Sequence, residues 1–334
     1  MIPHPLTRPQ WLLFTFAGVV LAACSSSSLR KFDEGDLGKE ISADVANKFE
    51  IKEIKAPTPT PVPAPVVAEE KPKPRKKIKS VEKPSLETET KSASKTPVVR
   101  RLDPMPFQVG ERLSYDLRYL GVTAATFQTE ILPLKQIGER KVYPIRAKAK
   151  TLSLFELVYR VDDTVESFWD FDGLYSHRFT MELDESKQTR KVIELYDYEK
   201  NQSLYWNRVD HVEKGFKEQK EHYSIKPLSQ DPLSCLFFLR VAPLPASSEG
   251  ETRMPFVMDG KPWESVIRYL RTETIYAGGK NREARVYQLV NYEQGELKNR
   301  DNTIWISTDE HRYLLRVETK LKVGSFAVAL DRIL

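Results

Sequence analysis

The chain has 334 residues, a formal net charge of +5, 40% hydrophobic residues and 30% charged residues. This length is enough to bury a sizeable core. The positive charge is modest and much of it falls in one proline-rich segment without a recognisable binding module, which argues against nucleic acid as a partner. Only two cysteines are present, Cys24 and Cys235, so a disulfide-rich scaffold is excluded.

The first 23 residues resemble the signal peptide of a bacterial lipoprotein. The apolar stretch from Trp11 to Ala23 is too short for a membrane-spanning helix, which needs about 20 residues. It ends in Leu21-Ala22-Ala23-Cys24, which is similar to a lipobox, whose cysteine thiol receives a diacylglycerol group. An ordinary cleaved signal with an incidental cysteine is the alternative. We expect residues 1–23 to be removed and Cys24 to carry the lipid, since two or more acyl chains hold a protein stably on a membrane.

Ser25 follows the cysteine. The similarity to enterobacterial lipoproteins implies that a residue other than Asp at this position directs the protein to the outer membrane. The rest of the chain would then face the periplasm.

Residues 24–104 are predicted to be a lipidated N-terminus followed by a disordered linker. The segment from Lys55 to Pro74 alternates proline with Ala, Thr and Val, which favours an extended polyproline II conformation. Ser, Thr, Lys and Glu then dominate, a composition that buries too little apolar surface to fold. Within Leu29–Ile54, a weak helical period predicts one short amphipathic helix.

The linker contains a basic run, which consists of Lys71, Lys73, Arg75, Lys76, Lys77 and Lys79. These side chains could contact anionic lipid headgroups or an acidic cell-wall polymer such as peptidoglycan. The simpler interpretation is a solvated charge run that keeps the linker extended.

Residues 105–334 show the period-two alternation of strands that have one buried face. In Leu315–Val323, for example, apolar residues and threonine alternate with Arg, Glu and Lys. Turn signals separate such segments at Asp172-Gly173, Lys200-Asn201 and Gly278-Gly279. The sequence therefore predicts a mostly β fold: an antiparallel curved sheet or partly closed barrel of about ten strands.

One segment differs, because Pro232–Arg240 is apolar on nearly all sides. Asp231 before Pro232 is typical of a helix N-cap followed by proline in the first turn. We therefore predict one short helix packed against the sheet. Cys235 within it is expected to be a buried, unreactive hydrophobe.

No catalytic residue, metal site or cofactor is predicted. The histidines lack the spacing of zinc ligands. Asp170-Phe171-Asp172-Gly173 lacks the glycine and glutamate that an EF-hand calcium loop places further on, and a hairpin turn explains it. The Gly-x-Ser-x-Gly motif of hydrolases is absent.

Aromatic residues on the predicted strands give the one suggestion of a ligand site. Adjacent aromatics on a strand face opposite ways, so one of each pair lies on the second face. The expected ligand-binding residues are Trp169, Tyr205, Trp206, Trp263 and Trp305. Packing in a core is the alternative for each of them.

Three segments together resemble the DUF3108 family of bacterial domains of unknown function. They are Phe107–Tyr115, Asp231–Ser234 with the following Phe237-Phe238-Leu239-Arg240, and Leu321–Phe326. The resemblance covers about Met105 to Leu334 and implies an exported, mostly β domain without an assigned reaction. A looser analogy of fold, to the lipoprotein carriers LolA and LolB, implies a curved half-barrel.

Three functions remain open. The first is a lipid-anchored envelope protein whose β domain binds an apolar ligand, such as a lipid or a lipoprotein acyl chain, without catalysis. The second is a structural protein or scaffold that contacts the cell wall or a protein partner. The third is an envelope hydrolase whose site assembles from distant loops.

Overall fold

The computed structural model describes residues 29–30, 32, 42–54, 99–321 and 324–334. The predicted signal peptide, Cys24 and the basic run 71–79 lie outside these residues. In the described part, no helix has the length and apolarity needed to cross a membrane.

The described residues form three short helices and sixteen strands. The helices are α1 (Ala43–Lys48), α2 (Ser153–Glu156) and α3 (Ser234–Val241). The strands are β1 (Ile51–Glu53), β2 (Arg112–Tyr119), β3 (Val122–Ile131), β4 (Lys135–Ile137), β5 (Arg140–Thr151), β6 (Asp162–Asp170), β7 (Ser176–Asp184), β8 (Gln188–Asp197), β9 (Gln202–His211), β10 (Gly215–Ser224), β11 (Glu251–Met258), β12 (Lys261–Ala277), β13 (Lys280–Glu293), β14 (Glu296–Ser307), β15 (Leu314–Leu321) and β16 (Gly324–Ile333).

The strands form one large antiparallel sheet that is not closed. Its order is β10-β9-β8-β7-β6-β5-β3-β2-β16-β15-β14-β13-β12-β11, and β4 and β1 extend it beside β5. Most neighbours follow one another in the chain and are joined by tight turns. Among the exceptions, the pairing of β2 with β16 joins the two halves of the sheet, and in it Leu117 lies opposite Val328.

The predicted fold class is confirmed, although the number of strands is larger than the predicted ten. β10 shows why, since Gly215–Ser224 is charged or polar at nearly every position and is exposed almost throughout. It lacks an alternating pattern because it is an edge strand with both faces wet. Charged side chains on such an edge discourage pairing with another chain.

The other edge, β11, is protected differently. It contains Pro255, which has no N–H to offer to a neighbour. The backbone of Gln230 bonds along this edge, donating to the Pro255 carbonyl at 3.0 Å and accepting from Val257 at 2.8 Å. The segment between β10 and α3 therefore covers the edge.

Buried side chains form three clusters. The inner core surrounds α3 on the concave side of the sheet and includes Trp169 and Phe237. A second core joins β12–β16 and β2 and includes Trp305. The outer cluster lies on the opposite face of β5–β9 from the inner core, and it includes Phe49 and Trp206.

The part of the N-terminal segment that is described lies against the outside of the domain. β1 pairs with β4, and Phe49 is only 5% exposed. Lys48 forms ion pairs with Asp197 and Glu199, at 3.0 and 2.7 Å. The short helix expected within 29–54 is present as α1. Residues 42–54 are thus a docked part of the fold, within the stretch that the sequence assigned to the linker.

Arg30 and Phe32 contact the domain at the opposite end of the same strands. The Arg30 N–H donates to Asp210 at 3.1 Å, and its carbonyl accepts from Thr189 at 2.7 Å. The Phe32 ring lies 6.1 Å from Phe216. Thr189 lies near the start of β8 and Asp197 ends it, so Arg30 and Lys48 contact opposite ends of this strand.

Candidate functional site

The inner face of the sheet holds two of the five aromatic residues expected to bind a ligand. Trp169 is fully buried and its indole N–H donates to Gln230 Oε1 at 2.8 Å. The Tyr205 hydroxyl accepts a hydrogen bond from Arg190 at 2.8 Å and donates to Asp259 at 3.2 Å. Both side chains therefore have their polar atoms satisfied by the protein.

The other three aromatics lie elsewhere. Trp206 is in the outer cluster, with its indole N–H 2.6 Å from Glu218 and the Arg208 guanidinium 4.2 Å above its ring. Trp263 packs against Phe256. The Trp305 indole donates to Glu273 at 2.6 Å. All five are at most 5% exposed, and they do not form a shared ligand-binding surface.

Helix α3 fills the concavity that a ligand would need. Asp231 begins this segment, as predicted: its Oδ1 accepts from the N–H groups of Leu233 and Ser234, at 2.8 and 2.7 Å. The regular helix starts at Ser234, two residues later than predicted, because Pro232 and Leu233 form a turn first. The capping carboxylate thus fixes the start of the helix inside the sheet.

Two serines on the sheet complete this buried network. Ser167 on β6 and Ser176 on β7 both donate to Asp231 Oδ2, the latter at 2.7 Å. Burial raises the pKa of Asp231, against the lowering effect of these hydrogen bonds. Sequence reasoning missed both serines, although each is a small polar residue at an inward-facing strand position. Both hydroxyl groups thus hold the start of the helix against the sheet.

The other end of α3 is fixed by Arg240. Its guanidinium forms a two-pronged ion pair with Glu111, at 2.5 and 3.0 Å, and also donates to the carbonyl oxygens of Pro106 and His311. The Arg240 side chain is 2% exposed. The helix is therefore held at both ends by buried polar contacts.

The cavity that lies on the inner side of the sheet is very small. A cavity of about 20 Å³ is lined by Met181, Glu194, Tyr205 and Met258 among others. That volume suits a single water molecule, whereas ligand pockets usually measure about 300–1,000 Å³. This cavity is too small for an acyl chain.

A surface groove of about 280 Å³ lies where the β12–β13 turn meets β16. Ile275, Tyr276, Ala327 and Leu330 line it, with Arg118 at its rim. Tyr276 is 74% exposed. This groove is the more spacious concavity, and none of the five predicted aromatics lines it.

A second exposed apolar surface lies at the end of β5 and the start of β3, and we name it the apolar tip. It consists of Leu152, Leu154, Leu157 and Val158 in the β5–β6 loop and of Leu120 and Val122 at the β2–β3 turn. Leu154 is 78% exposed and Leu157 is 93% exposed. The two parts adjoin because the Leu152 N–H donates to the Ala124 carbonyl at 3.0 Å.

Hydrogen bonds hold the base of the tip loop. Thr151 Oγ1 donates to the Tyr159 carbonyl at 3.1 Å and accepts from the Val161 N–H at 3.0 Å. The Tyr159 hydroxyl donates to Glu185 at 2.8 Å. The exposed leucines are therefore presented by a fixed loop base.

The acidic turn Asp170–Gly173 is a structural hairpin, as predicted. Asp170 accepts from His177 at 2.8 Å, from Arg140 at 2.7 and 2.8 Å, and from the Gly173 N–H at 2.6 Å. Burial acts to raise the pKa of Asp170, but the bonds from His177 and Arg140 hold it well below its usual range. This carboxylate is fully engaged in the turn.

Within the described residues, no cluster of three or more His, Cys, Asp or Glu side chains could hold a metal. Cys235 is half-buried, and burial raises the pKa of its thiol well above the usual value, which opposes thiolate chemistry.

Comparison with known proteins identifies the family. The model of the family of proteins of unknown function DUF3108 matches residues 114–331. The chain therefore belongs to the DUF3108 family, as the three sequence segments indicated. No curated protein matches the chain.

Three solved structures resemble the fold at low sequence identity. A β-barrel-like DUF1849 protein from Brucella abortus has a TM-score of 0.41 and 12% identity, with 67% of this chain and 97% of that chain covered. A candidate exported protein with a YmcC-like fold from Bacteroides fragilis has a TM-score of 0.28 and 10% identity, covering 69% and 98%. A candidate lipoprotein from Parabacteroides distasonis has a TM-score of 0.29 and 8% identity, covering 72% and 100%.

Proposed function

We propose that this protein is a lipid-anchored, non-catalytic scaffold of the bacterial cell envelope that binds its partners through surfaces. The observation that carries this proposal is the small size of the inner cavity: it measures about 20 Å³, and the five candidate ligand aromatics are buried. A carrier of acyl chains would need an interior space more than ten times larger. Binding therefore falls to the outside of the domain.

The envelope location rests on the N-terminal sequence. Leu21-Ala22-Ala23-Cys24 supplies the lipidation site, and Ser25 favours the outer membrane, with the domain in the periplasm. Changing Cys24→Ala should abolish metabolic labelling with palmitate and release the protein from membranes. Continued labelling of this variant would contradict the anchor.

The scaffold role is tested by native mass spectrometry of protein purified from a lipid-rich host. We expect the mass of the polypeptide and its covalent lipid alone. A further, non-covalent lipid at one copy per chain that is also retained by the Tyr276→Ala variant would contradict the small inner cavity and restore the carrier hypothesis.

The basic run offers a cell-wall partner for this scaffold. Co-sedimentation with isolated peptidoglycan should be reduced when all six basic residues are changed to Gln, since the sugar-peptide polymer is acidic. The matched control changes six exposed basic residues of the β domain. Equal co-sedimentation of both variants would remove the basic run from the proposal.

The surface groove supports a second candidate, binding of a small apolar ligand on the outside. Its volume of about 280 Å³ approaches the range of ligand pockets. The Tyr276→Ala change removes one wall of the groove. A fluorescent fatty acid should bind to this variant at least fivefold more weakly than to Leu270→Ala, a control at an exposed position of the same strand. Equal binding to both variants would exclude the groove.

A further inference from the structure

The domain carries an apolar tip that is unusual for a water-exposed surface. Its six members are 36–93% exposed, and four of them come from the single loop after β5. Large contiguous apolar patches on a monomer mark interaction sites. Hydrogen bonds among Thr151, Tyr159 and Val161 fix the base of this loop, and its leucines are exposed to water.

The contact of Arg30 with the domain lies close to the apolar tip. Arg30 bonds to Thr189 at the start of β8, and Thr189 lies opposite Asp184 of β7. The next residue, Glu185, bridges to Val161, which closes the tip loop. Two strand spacings of about 4.8 Å each therefore separate the contact point of Arg30 from the base of the tip, roughly 10 Å.

Cys24 lies only six positions before Arg30. Six residues span at most about 20 Å when fully extended. A lipid on Cys24 would thus hold this end of the β domain within about 20 Å of the bilayer surface. The proline-rich segment 55–98 adds nothing to this distance, because residues 42–54 before it and residues 99–101 after it both contact the domain.

We propose that the apolar tip inserts into the interface of the same bilayer that carries the lipid of Cys24. This inference rests on the lipid anchor of the proposed function and names its first docking surface. Leucine and valine side chains on a protruding loop suit the boundary between headgroups and acyl chains. Lys148 and Lys150 are exposed where β5 approaches the loop, and their charges complement anionic headgroups. Glu156 is the one acid within the loop.

The short connection strengthens this contact. Once one end of the domain is held close to the surface, binding of the tip becomes an intramolecular step at high effective concentration. Loose attachment through a long linker would give no such gain. The lipid and the tip would therefore act as two points that fix the orientation of the domain.

The test attaches the protein to vesicles without relying on cellular lipidation. A chain that begins at Cys24 retains every residue that the structure describes. In a Cys235→Ser background, its Cys24 thiol is coupled to a maleimide lipid in vesicles of phosphatidylethanolamine and phosphatidylglycerol. A Leu157→Trp variant then reports insertion by a blue shift of its added emission and by quenching with brominated lipids. The control is Leu270→Trp, at an exposed position in the middle of β12.

We expect brominated lipids to quench the emission of the tryptophan added in Leu157→Trp at least threefold more than that of the tryptophan added in Leu270→Trp. Emission from the Leu157→Trp variant that is the same before and after coupling would overturn the proposal. Failure of cellular lipidation would leave this result unchanged, so the anchor and the tip are tested separately.

A second measurement uses the uncoupled chain from Ser25 onward. Its partition onto the same vesicles should fall at least tenfold in the Leu154→Asp/Leu157→Asp variant, and circular dichroism verifies that the variant is folded. The double control Leu270→Asp/Leu297→Asp introduces the same charge at other exposed positions. Equal partition of the tip variant and the control would contradict insertion. Equal binding of the unaltered chain to vesicles of phosphatidylcholine, which has no net charge, would assign the contact to the apolar residues alone.

Discussion

Glu194 is a carboxyl group in the interior of the sheet, beside the small cavity. It is 1% exposed and accepts hydrogen bonds from the hydroxyl groups of Ser203, at 2.9 Å, and Tyr196, at 3.3 Å. Burial raises the pKa of Glu194 to about 8. The folded protein therefore holds a proton on this residue at neutral pH, which the unfolded chain releases above about pH 4.5.

This difference predicts how stability depends on pH. Between about pH 4.5 and 8 the folded state binds more protons than the unfolded state at this site, so the free energy of unfolding falls as pH rises. Glu194→Gln removes this contribution while preserving the shape of the side chain. Urea unfolding midpoints at pH 5, 6.5 and 8 should decline less steeply in Glu194→Gln than in the unaltered protein. Parallel declines would show that Glu194 is ionised in the fold.

At this scale the sequence predicts local contacts and misses distant ones. The cap by Asp231 was predictable because its partners are two and three residues away. Ser167 and Ser176 lie 64 and 55 residues from Asp231, and no local pattern relates them. Tyr205 and Trp206 do face opposite sides of β9, as alternation required, but both sides are covered, so neither side chain is available to a ligand.

Helix α3 depends on the buried ion pair of Arg240 and Glu111. Removing one partner of such a pair leaves an uncompensated charge and costs about 3–5 kcal/mol. We expect Arg240→Met to lower the free energy of unfolding by this amount. Adding Glu111→Leu should restore part of the loss, because the stranded carboxylate is then removed. The measurement is urea unfolding of the unaltered protein, the two single variants and the double variant. Strictly additive changes in the free energy of unfolding would show that the two side chains act independently.

The docked segment 42–54 predicts a local response to mutation. Phe49→Ala removes a buried ring of the outer cluster, and it should release β1 from β4 without unfolding the sheet. Hydrogen exchange of residues 51–53 should then accelerate at least tenfold, while the exchange of β5–β8 is retained.

Ile54→Ala is the matched control for this change. Its side chain is 37% exposed in the same segment, so exchange of residues 51–53 should stay unchanged. Equal acceleration in both variants would mean that Phe49 has no special role in docking. Acceleration throughout the sheet would mean that 42–54 is essential to the whole fold.

The elements that the sequence identified are those with a strong period or a turn signal. Asn201, with φ at +50°, lies in the predicted turn between β8 and β9, and Gly278 and Gly279, at +57° and +81°, form the turn between β12 and β13. β1 and β4 are too short to show a period, and their pairing joins residues more than 80 positions apart. Their existence depends on tertiary contact with the sheet.

At the scale of the whole molecule, residues 55–98 connect two points at the same end of the domain. Glu53 pairs with Lys135 of β4, and the Arg100 N–H donates to the Asp172 carbonyl after β6. β4 adjoins β5, which adjoins β6, so about three strand spacings, roughly 15 Å, separate these points. A short connection is sufficient to join them.

We therefore predict that replacing residues 58–95 by six Gly and Ser residues preserves the fold. Fourfold shortening lowers the entropy cost of closing this connection by about 1.2 kcal/mol, so docking of 42–54 should become slightly stronger. The measurement is hydrogen exchange of β1, with circular dichroism as the check on the sheet. Faster exchange of β1 in the shortened protein would show that the long segment itself contributes to docking.

The pairing of β2 with β16 has a consequence for when the sheet is completed. The strand that joins the two halves of the sheet is the last of the described strands, and its partner lies more than 200 positions earlier. A topology dominated by such remote pairings forms slowly. The sheet would thus stay incomplete until the ribosome has translated β16, long after it has released β2.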